Sequence, residues 1–270
     1  MRQFLLKAMS QFGVGITSTS NLAKLKKDQI ELSNLRTFIQ FQEKLAALHF
    51  SADEQLRALQ VFKHSKSQLQ QDLFVLLSLN FKSNGFYVEF GATDGFNLSN
   101  TYMLEKNFGW TGILAEPARS WHASLKKNRS ANIETRCIWK ESAIILEFNE
   151  TEAGELSTLD SFSNRDMHAV SRENGIRYTV ETISLLDLLV KYKAPKFIDY
   201  LSIDTEGSEF EILDNFDFKT FTFGFISCEH NFTENRGKIF ELLSRQGYVR
   251  VFEQYSQFDD WYLHKSLVKA

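Results

Sequence analysis

The 270-residue chain carries 31 lysine and arginine residues against 34 aspartate and glutamate residues, a net charge of −3 with the histidines neutral. A chain of this length can bury one large core, and 43% hydrophobic and 24% charged residues with two prolines are typical of a folded globular protein. The near-balanced charge excludes a surface that attracts nucleic acid as a whole, so we expect no nucleic-acid partner.

The cysteines and the start of the chain bear on the cellular compartment. Cys137 and Cys228 stand in apolar surroundings. Two thiols cannot build a disulfide framework or a four-thiolate metal site, so we expect both to be buried and reduced. The opening MRQFLLKAMSQF is too short for a transmembrane segment and no cleavage site follows it. These features predict a cytoplasmic protein without a transmembrane segment.

The first 80 residues are expected to form a helical region, followed by a second domain over residues 81–270. Up to Lys27 this region has five basic residues and no acidic one, which suits peripheral contact with an anionic membrane. Packing of its helices against its own domain, or against a partner subunit in a homo-oligomer, is the alternative. Ser51 and Glu54 have the spacing of a capping box and predict the start of a helix.

From residue 86 onward, short apolar runs alternate with helical stretches. The apolar runs cover residues 86–90, 111–115, 133–137, 197–203, 223–228, 248–252 and 261–264. The helical stretches between them cover residues 98–107, 119–129, 207–216 and 233–246. This alternation predicts an α/β fold with a mostly parallel sheet covered on both faces, closed by an antiparallel pair of the last two runs.

Residues 144–148 and 176–183 are expected to be strands inserted before a helix that Ser184 caps. The segment between them, residues 151–175, is polar and poorly periodic. It is a candidate lid or acceptor-binding loop, and a solvated insertion is the equal alternative.

The stretch from Glu89 to Gly95, EFGATDG, ends the first apolar run directly before a helical stretch. In an α/β sheet, ligands bind beyond the carboxyl ends of the central strands. The spacing E-x-G-x-x-x-G differs from the G-x-G-x-x-G of dinucleotide binders, and Glu89 and Asp94 would repel a pyrophosphate. Glu116 ends the second run, where a carboxylate can accept hydrogen bonds from ribose hydroxyls. These features favour a cationic nucleoside such as S-adenosylmethionine over an ordinary turn with solvated acids.

Six stretches of the chain resemble the FkbM family of S-adenosylmethionine-dependent methyltransferases. They are SQLQQDLFVL, GFYVEFGATDGFNLSNTYMLEKNFGWTGILAEP, LKKNRS, YLSIDTEGSEFEIL, ISCEHN and FDDWYLH. They run in the family's order from about Ser67 to His264. The resemblance implies a Rossmann-like seven-stranded methyltransferase sheet in the order 3-2-1-4-5-7-6, with the last strand antiparallel, after an N-terminal helical extension.

The same resemblance implies a set of cofactor-binding residues. In the glycine turn and the helix start after it, they are Glu89, Gly91, Ala92, Asp94, Gly95, Ser99, Asn100 and Thr101. Beyond the next strands they are Glu116, Pro117, Cys137, Ile138, Trp139 and Asp204. Ser99, Asn100 and Thr101 would reach the methionine carboxylate, Glu116 the ribose, and the residues from Cys137 to Trp139 the adenine, beside which no acidic residue stands.

Polar residues follow the fourth and fifth strands, in SIDTEGSE and SCEHN, and supply the catalytic candidates Asp204, Glu206, Glu229 and His230. In one mechanism His230, whose side chain ordinarily titrates near neutrality, removes the proton of an acceptor hydroxyl. In the other, Asp204, Glu229 and Asn231 hold Mg²⁺, which acidifies that hydroxyl.

These inferences predict an S-adenosylmethionine-dependent O-methyltransferase that acts on a sugar hydroxyl of a glycan or glycolipid, the sugar being implied by the family resemblance. Methylation of a small secondary metabolite is an alternative within the same fold. A non-catalytic methyltransferase-like binding module is an alternative from another class. The missing third glycine disfavours an NAD-dependent oxidoreductase.

Overall fold

The structure, a computed structural model, describes residues 19–268. Its contacts divide the chain into two compact units, Met1–Leu59 and Gln60–Ala270. This boundary lies before the one that the sequence predicts near residue 80, because the helix Gln71–Ser78 belongs to the second unit and has seven of its eight residues buried. Residues 1–18, which hold the start of the basic N-terminal stretch, lie outside the described part.

The described part of the first unit, from residue 19 onward, is mainly helical, as expected. Helix α1 spans Thr19–Ala46, and helix α2, Ala52–Val61, begins in the first unit and ends just beyond its boundary. The predicted capping box is confirmed, because the Ser51 backbone N–H donates to Glu54 Oε2 at 2.8 Å and the Glu54 N–H donates to Ser51 Oγ at 3.2 Å. Within residues 19–268, no helix combines the length and apolar character needed to span a bilayer.

The second unit alternates strands and helices. Its strands are β1 Phe86–Phe90, β2 Thr111–Ala115, β3 Asn132–Glu134, β4 Cys137–Trp139, β5 Ile145–Glu150, β6 Thr158–Leu159, β7 Ile176–Ser184, β8 Phe197–Ile203, β9 Thr222–Glu229, β10 Tyr248–Val251 and β11 Asp259–His264. Its helices are α3 Gln71–Ser78, α4 Tyr102–Phe108, α5 His122–Asn128, α6 Ala169–Arg172, α7 Leu185–Lys191, α8 Glu209–Asp214, α9 Asn235–Arg245 and α10 Glu253–Ser256.

Seven strands form the main sheet, in the order β3-β2-β1-β8-β9-β11-β10. Counted along the chain within this sheet alone, the order is 3-2-1-4-5-7-6. Strand β11 is antiparallel to both neighbours, and the other pairs are parallel. The central strands are buried, with Val88, Ile113, Leu201 and Ile226 all fully inaccessible, as expected for a parallel sheet covered on both faces. The predicted α/β fold is confirmed.

A second sheet of four strands, in the order β4-β7-β5-β6, adds to the seven-stranded sheet that the sequence predicts. The single run expected over residues 133–137 is wrong, because the chain leaves the main sheet after Glu134 and enters the second sheet at Cys137. Between them, the Arg136 backbone N–H and guanidinium both donate to Glu134, which fixes the turn. The inserted strands before α7 are confirmed, and Ser184 Oγ caps that helix by accepting from Asp187 N–H at 3.1 Å.

All four helical stretches that the sequence predicts between the apolar runs begin later than expected, and the difference is largest for the first two. The stretch from residue 98 becomes helical at Tyr102, because Leu98 has a φ of 58° that a right-handed helix excludes. The stretch from Arg119 opens as a 3₁₀ turn and continues as α5. The closing antiparallel pair of β10 and β11 is confirmed, and its connection contains α10.

Candidate active site

A cavity of about 400 Å³ opens at the carboxyl ends of β1, β2, β8 and β9. The ends of parallel strands meet at one edge of a sheet, where α/β proteins bind their ligands. Twelve of the residues predicted to form the site line this cavity: Glu89, Gly91, Ser99, Asn100, Glu116, Pro117, Cys137, Ile138, Asp204, Glu206, Glu229 and Asn231.

The cavity is lined by acidic side chains. They are Glu89, Glu116, Glu155, Asp204, Glu206, Glu229 and Asp259. Among the residues that the structure describes, no lysine or arginine lines it. Such a lining offers hydrogen-bond acceptors and no lysine or arginine to pair with a phosphate group, which suits a cationic ligand better than an anionic one.

Glu89 is buried and organises the segment before α4. Its carboxylate accepts from the Asn100 backbone N–H at 2.7 Å and from the hydroxyls of Ser99 and Thr101, at 3.1 and 2.5 Å. The hydroxyls of Ser99 and Thr101 are therefore engaged within the protein. The Asn100 amide donates to Ser202 Oγ at 3.0 Å, while its Oδ1 is buried without a hydrogen bond among the described residues. Asn100 thus presents an acceptor to a ligand.

Arg129 lies behind this segment, and sequence reasoning assigned it no role although the stretch LKKNRS contains it. Its side chain is fully buried and forms ion pairs with Glu105 at 2.8 Å and Glu89 at 3.6 Å. Its guanidinium also donates to the Gly95 carbonyl at 3.1 Å. Gly95 has a φ of +73°, and a Cβ there would lie 2.6 Å from Arg129 Cγ, so this glycine makes room for the arginine.

Gly91 brings the glycine turn against the end of β8. Its φ is +70°, and a Cβ at this position would lie 2.1 Å from the Asp204 carbonyl oxygen. The backbone N–H groups of Gly91 and Ala92 both donate to the Ala115 carbonyl, at 3.1 and 3.3 Å. Asp94 does not line the cavity; it accepts from two backbone N–H groups further along its own turn. The turn is therefore fixed by contacts within the protein on both sides.

Glu116 is buried at the end of β2, as its predicted role requires. Its Oε2 accepts from the Thr93 backbone N–H and its Oε1 from that of Ala118, both at 2.8 Å. Burial raises its pKa to about 7 against the effect of these two donors. A carboxylate oxygen has two lone pairs, so each oxygen can accept one further hydrogen bond from a ligand.

The apolar part of the cavity comes from both sheets. Cys137 and Ile138 line it as predicted, whereas Trp139 does not and packs on Phe162 with ring centroids 5.8 Å apart. Phe148 of the second sheet lines the cavity as well, which sequence reasoning missed because it left that strand outside the site. The two cysteines are buried and unpaired, as expected.

Three carboxyl groups converge at the ends of β8 and β9. One oxygen each of Asp204, Glu206 and Glu229 can be chosen such that all lie within 4.8 Å of one another. Burial and the neighbouring carboxylates raise the pKa of Asp204 to about 8 and that of Glu206 to about 9. Asn231, the third ligand expected from the sequence, instead donates to Glu206 Oε2 at 3.3 Å. The set that could hold a cation is therefore Asp204, Glu206 and Glu229.

His230 is buried but does not line the 400 Å³ cavity. Its Nδ1 accepts from the Phe232 backbone N–H at 3.0 Å, and its Nε2 lies 3.7 Å from Asp260 Oδ1. It borders a second cavity of about 360 Å³, which shares Glu229 and Asn231 with the first. His230 therefore borders the second cavity and not the one that Glu89 and Gly91 line.

The segment 151–175 forms part of the cavity wall and is not a solvated insertion. Leu156 and Met167 are among the residues by which it lines the cavity. Arg172 connects this segment to the end of β8. Its fully buried guanidinium donates to the Leu156 carbonyl and to Asp166 within the segment, and to Glu206, each at 2.7 Å.

Residues from both ends of the second unit also reach the cavity. Gln68 and Gln71 line it, and Gln71 donates to Asp259 Oδ2 at 2.9 Å. Gln68 and Gln71 belong to the stretch SQLQQDLFVL, and Asp259 belongs to FDDWYLH. Both stretches resemble the FkbM family, so the sequence indicated that these segments matter, although it showed no role for the three residues.

Five of the thirteen described residues other than glycine that have a positive φ line this cavity. Thr93, Leu98, Glu206, Asn231 and Phe232 all line it and have φ values between 43° and 59°. Positive φ is uncommon for residues with a side chain, and for a β-branched residue such as Thr93 it is an outlier. Residues with a strained backbone are often found at functional sites, where contacts with the surrounding structure maintain the strained conformation.

The fold and the cavity define an α/β protein with an acidic ligand site at the carboxyl edge of its sheet. Residues 89–261 match the family described as the methyltransferase FkbM domain, and the chain belongs to this family of methyltransferases. None of the curated proteins matches the chain. Among solved structures, precorrin-6y C5,15-methyltransferase from Geobacter metallireducens GS-15 is similar, with 12% identity and a TM-score of 0.39 over 72% of this chain and 87% of that one.

Proposed function

We propose that this protein transfers the methyl group of S-adenosylmethionine to a hydroxyl oxygen of a sugar in a glycan or glycolipid. The observation that carries the proposal is the composition of the cavity lining: seven acidic residues line it, with no lysine or arginine among the described lining residues. The sulfonium and ammonium groups of the cofactor suit this lining, whereas the pyrophosphate of a dinucleotide does not. The sugar acceptor rests on the family resemblance.

The residues of the cavity offer a complementary partner to each part of the cofactor. Glu116 has one accepting position left on each oxygen, which suits the two hydroxyls of a ribose. The unpartnered Asn100 Oδ1 suits an ammonium group, in place of the methionine carboxylate that the sequence suggested. Cys137 and Ile138 supply an apolar surface for the adenine. When bound, the cofactor supplies a methyl group on a positively charged sulfur.

We place the acceptor hydroxyl beside Asp204, Glu206 and Glu229. Methyl transfer is a direct displacement, so the protein must hold the donor and acceptor in line and accommodate the proton that the hydroxyl loses. These carboxyl groups line the same cavity as Glu116 and Asn100. The role of His230 as the base stays a prediction, and its ring borders the second cavity instead.

Calorimetric titration with S-adenosylhomocysteine tests cofactor binding. We expect wild-type protein to bind it, and Glu116→Gln to bind it at least ~10-fold more weakly because the amide nitrogen cannot accept a hydrogen bond as the carboxyl oxygen does. Glu147→Gln, which removes an exposed carboxylate from β5, is the matched control and should bind as wild type. Wild type that binds NADH and not S-adenosylhomocysteine would establish the oxidoreductase alternative instead.

The acceptor is tested by transfer of a radiolabelled methyl group. The protein is incubated with labelled S-adenosylmethionine and, in separate reactions, polysaccharide, glycolipid and small-molecule fractions. We expect the label in the polysaccharide or glycolipid fraction, bound as a methyl ether and therefore stable to the mild base that hydrolyses methyl esters. Label confined to small molecules would favour the secondary-metabolite alternative.

A further inference from the structure

The cluster of Asp204, Glu206 and Glu229 has the composition and dimensions of a divalent cation site. Its three carboxyl groups come from adjacent parallel strands, because β8 and β9 are paired up to Ile203 and Cys228. Their ligand oxygens lie within 4.8 Å of one another. An octahedral cation with metal–oxygen distances of about 2.1 Å sets neighbouring ligand oxygens about 3 Å apart and opposite ones about 4 Å apart. Small side-chain rotations therefore suffice to close these groups around one ion.

An independent observation points to a ligand at this cluster. Glu229 is 7% exposed, and its Oε2 is buried with no hydrogen-bond partner in the described part of the chain. Glu229 lines the cavity, so this oxygen is available to a group inside it. An unpartnered buried carboxylate oxygen is destabilising unless a cation or a proton satisfies it.

The positive charge near the cluster does not balance its three carboxyl groups when they are ionised. Arg172 is the guanidinium that contacts the cluster, and it is shared between Glu206 and Asp166 at 2.7 Å each. Its single charge is thus already matched by Asp166. A divalent ion would take the place of the protons that otherwise keep these carboxyl groups neutral.

The protein holds the carboxyl groups together instead of letting them separate. Arg172 and Asn231 both donate to Glu206 Oε2, which directs that side chain while Oε1 stays available to another ligand. The backbone of Glu206 is kept at a φ of 59°, and Glu209 accepts from the N–H groups of Thr205 and Gly207 on either side of it. Repelling groups kept in a strained, well-supported loop are typical of a preorganised binding site.

We propose that Asp204, Glu206 and Glu229 bind one divalent cation that prefers oxygen ligands, such as Mg²⁺ or Mn²⁺. Three carboxylate ligands leave positions for water and for oxygen atoms of an acceptor. In methyl transfer the cation acidifies the bound acceptor hydroxyl and orients it. This catalytic role rests on the proposed function, whereas binding of the cation does not.

Titration with Mn²⁺ alone tests the site, because the electron paramagnetic resonance signal of free Mn²⁺ falls as the ion binds. We expect one Mn²⁺ per chain in wild type, with at least ~10-fold weaker binding in Glu229→Gln and Asp204→Asn, since each loses a charged ligand. Asp214→Asn removes an exposed carboxylate from α8 and should bind Mn²⁺ as wild type does. Circular dichroism checks that each variant is folded.

Two results would overturn the proposal: wild type that binds no Mn²⁺ at millimolar concentration, or both cluster variants binding it like Asp214→Asn. Calorimetry with S-adenosylhomocysteine in the presence of a chelator separates this outcome from failure of the proposed function. If S-adenosylhomocysteine binds and Mn²⁺ does not, the carboxyl groups share protons instead and the cation is refuted alone. If Mn²⁺ binds and S-adenosylhomocysteine does not, the cation site stands without the methyltransferase function.

Discussion

Gly91→Ala tests whether the glycine turn and the end of β8 touch as closely as the structure shows. The added Cβ would lie 2.1 Å from the Asp204 carbonyl oxygen and 3.2 Å from its carbonyl carbon. These are backbone atoms of a buried strand end and cannot rotate away as a side chain can. The turn and β8 must therefore separate until the contact reaches at least 3.0 Å.

The cost of this change follows from two effects. At a φ of +70°, alanine is less stable than glycine by about 1–2 kcal/mol. Moving packed backbone to relieve the contact adds about 1–3 kcal/mol, as for other overpacked sites. We therefore expect the free energy of unfolding to fall by about 2–5 kcal/mol. Because Glu89 and Asp204 line the same cavity, the shift should also weaken binding of S-adenosylhomocysteine.

Urea denaturation measures the stability change, and calorimetry measures the change in binding. Gly237→Ala is the matched control, because Gly237 lies exposed in α9 and a Cβ there meets no atom within 4 Å. In a helix this substitution should leave stability unchanged or raise it by up to ~1 kcal/mol. If Gly91→Ala unfolds at the same urea concentration as wild type and keeps its affinity for S-adenosylhomocysteine, the close approach to Asp204 does not exist.

Two further predictions concern buried charge. Arg129→Met leaves Glu89 buried without its cation and leaves Glu105 paired with Lys106 alone, so the free energy of unfolding should fall by about 3–5 kcal/mol in urea titrations, and an unchanged midpoint would contradict the network. Burial raises the pKa of Glu116 from 4.5 to about 7, so between these values the folded state holds a proton that the unfolded state has released. The proton on Glu116 therefore stabilises the folded state in full below pH 4.5, and this stabilisation is lost as the pH rises through about 7. The free energy of unfolding should fall by about 3 kcal/mol over this range. The Glu116→Gln variant, whose amide does not titrate, should not show this decrease. Parallel pH–stability curves for wild type and this variant would show that Glu116 is not buried as described.

The parts of the site that follow from local sequence were predictable. Glu116 lies at the cavity because it ends a strand, and the carboxyl ends of parallel strands share one edge. Gly91 marks a turn by its residue type, and the structure shows that this turn closely approaches the Asp204 backbone. The sequence thus indicated where the turn is but not what it touches.

Partners of buried charged groups could not be predicted. Arg129 contacts Glu89 and Glu105 across 40 and 24 positions of the chain, and nothing near LKKNRS indicates either acid. For the same reason Asn231 looked like a metal ligand, whereas the structure directs its amide to Glu206.

By itself, the sequence determined the alternation of strands and helices, the capping of α2 by Ser51 and of α7 by Ser184, and the family of the protein. These features depend on residues a few positions apart, whose geometry the local backbone sets. Only the tertiary structure decided that Asp204, Glu206 and Glu229 meet, and that His230 borders a different cavity. Such contacts depend on how separate elements pack and on the direction in which each side chain leaves the backbone, and neither is encoded within a single stretch of the chain.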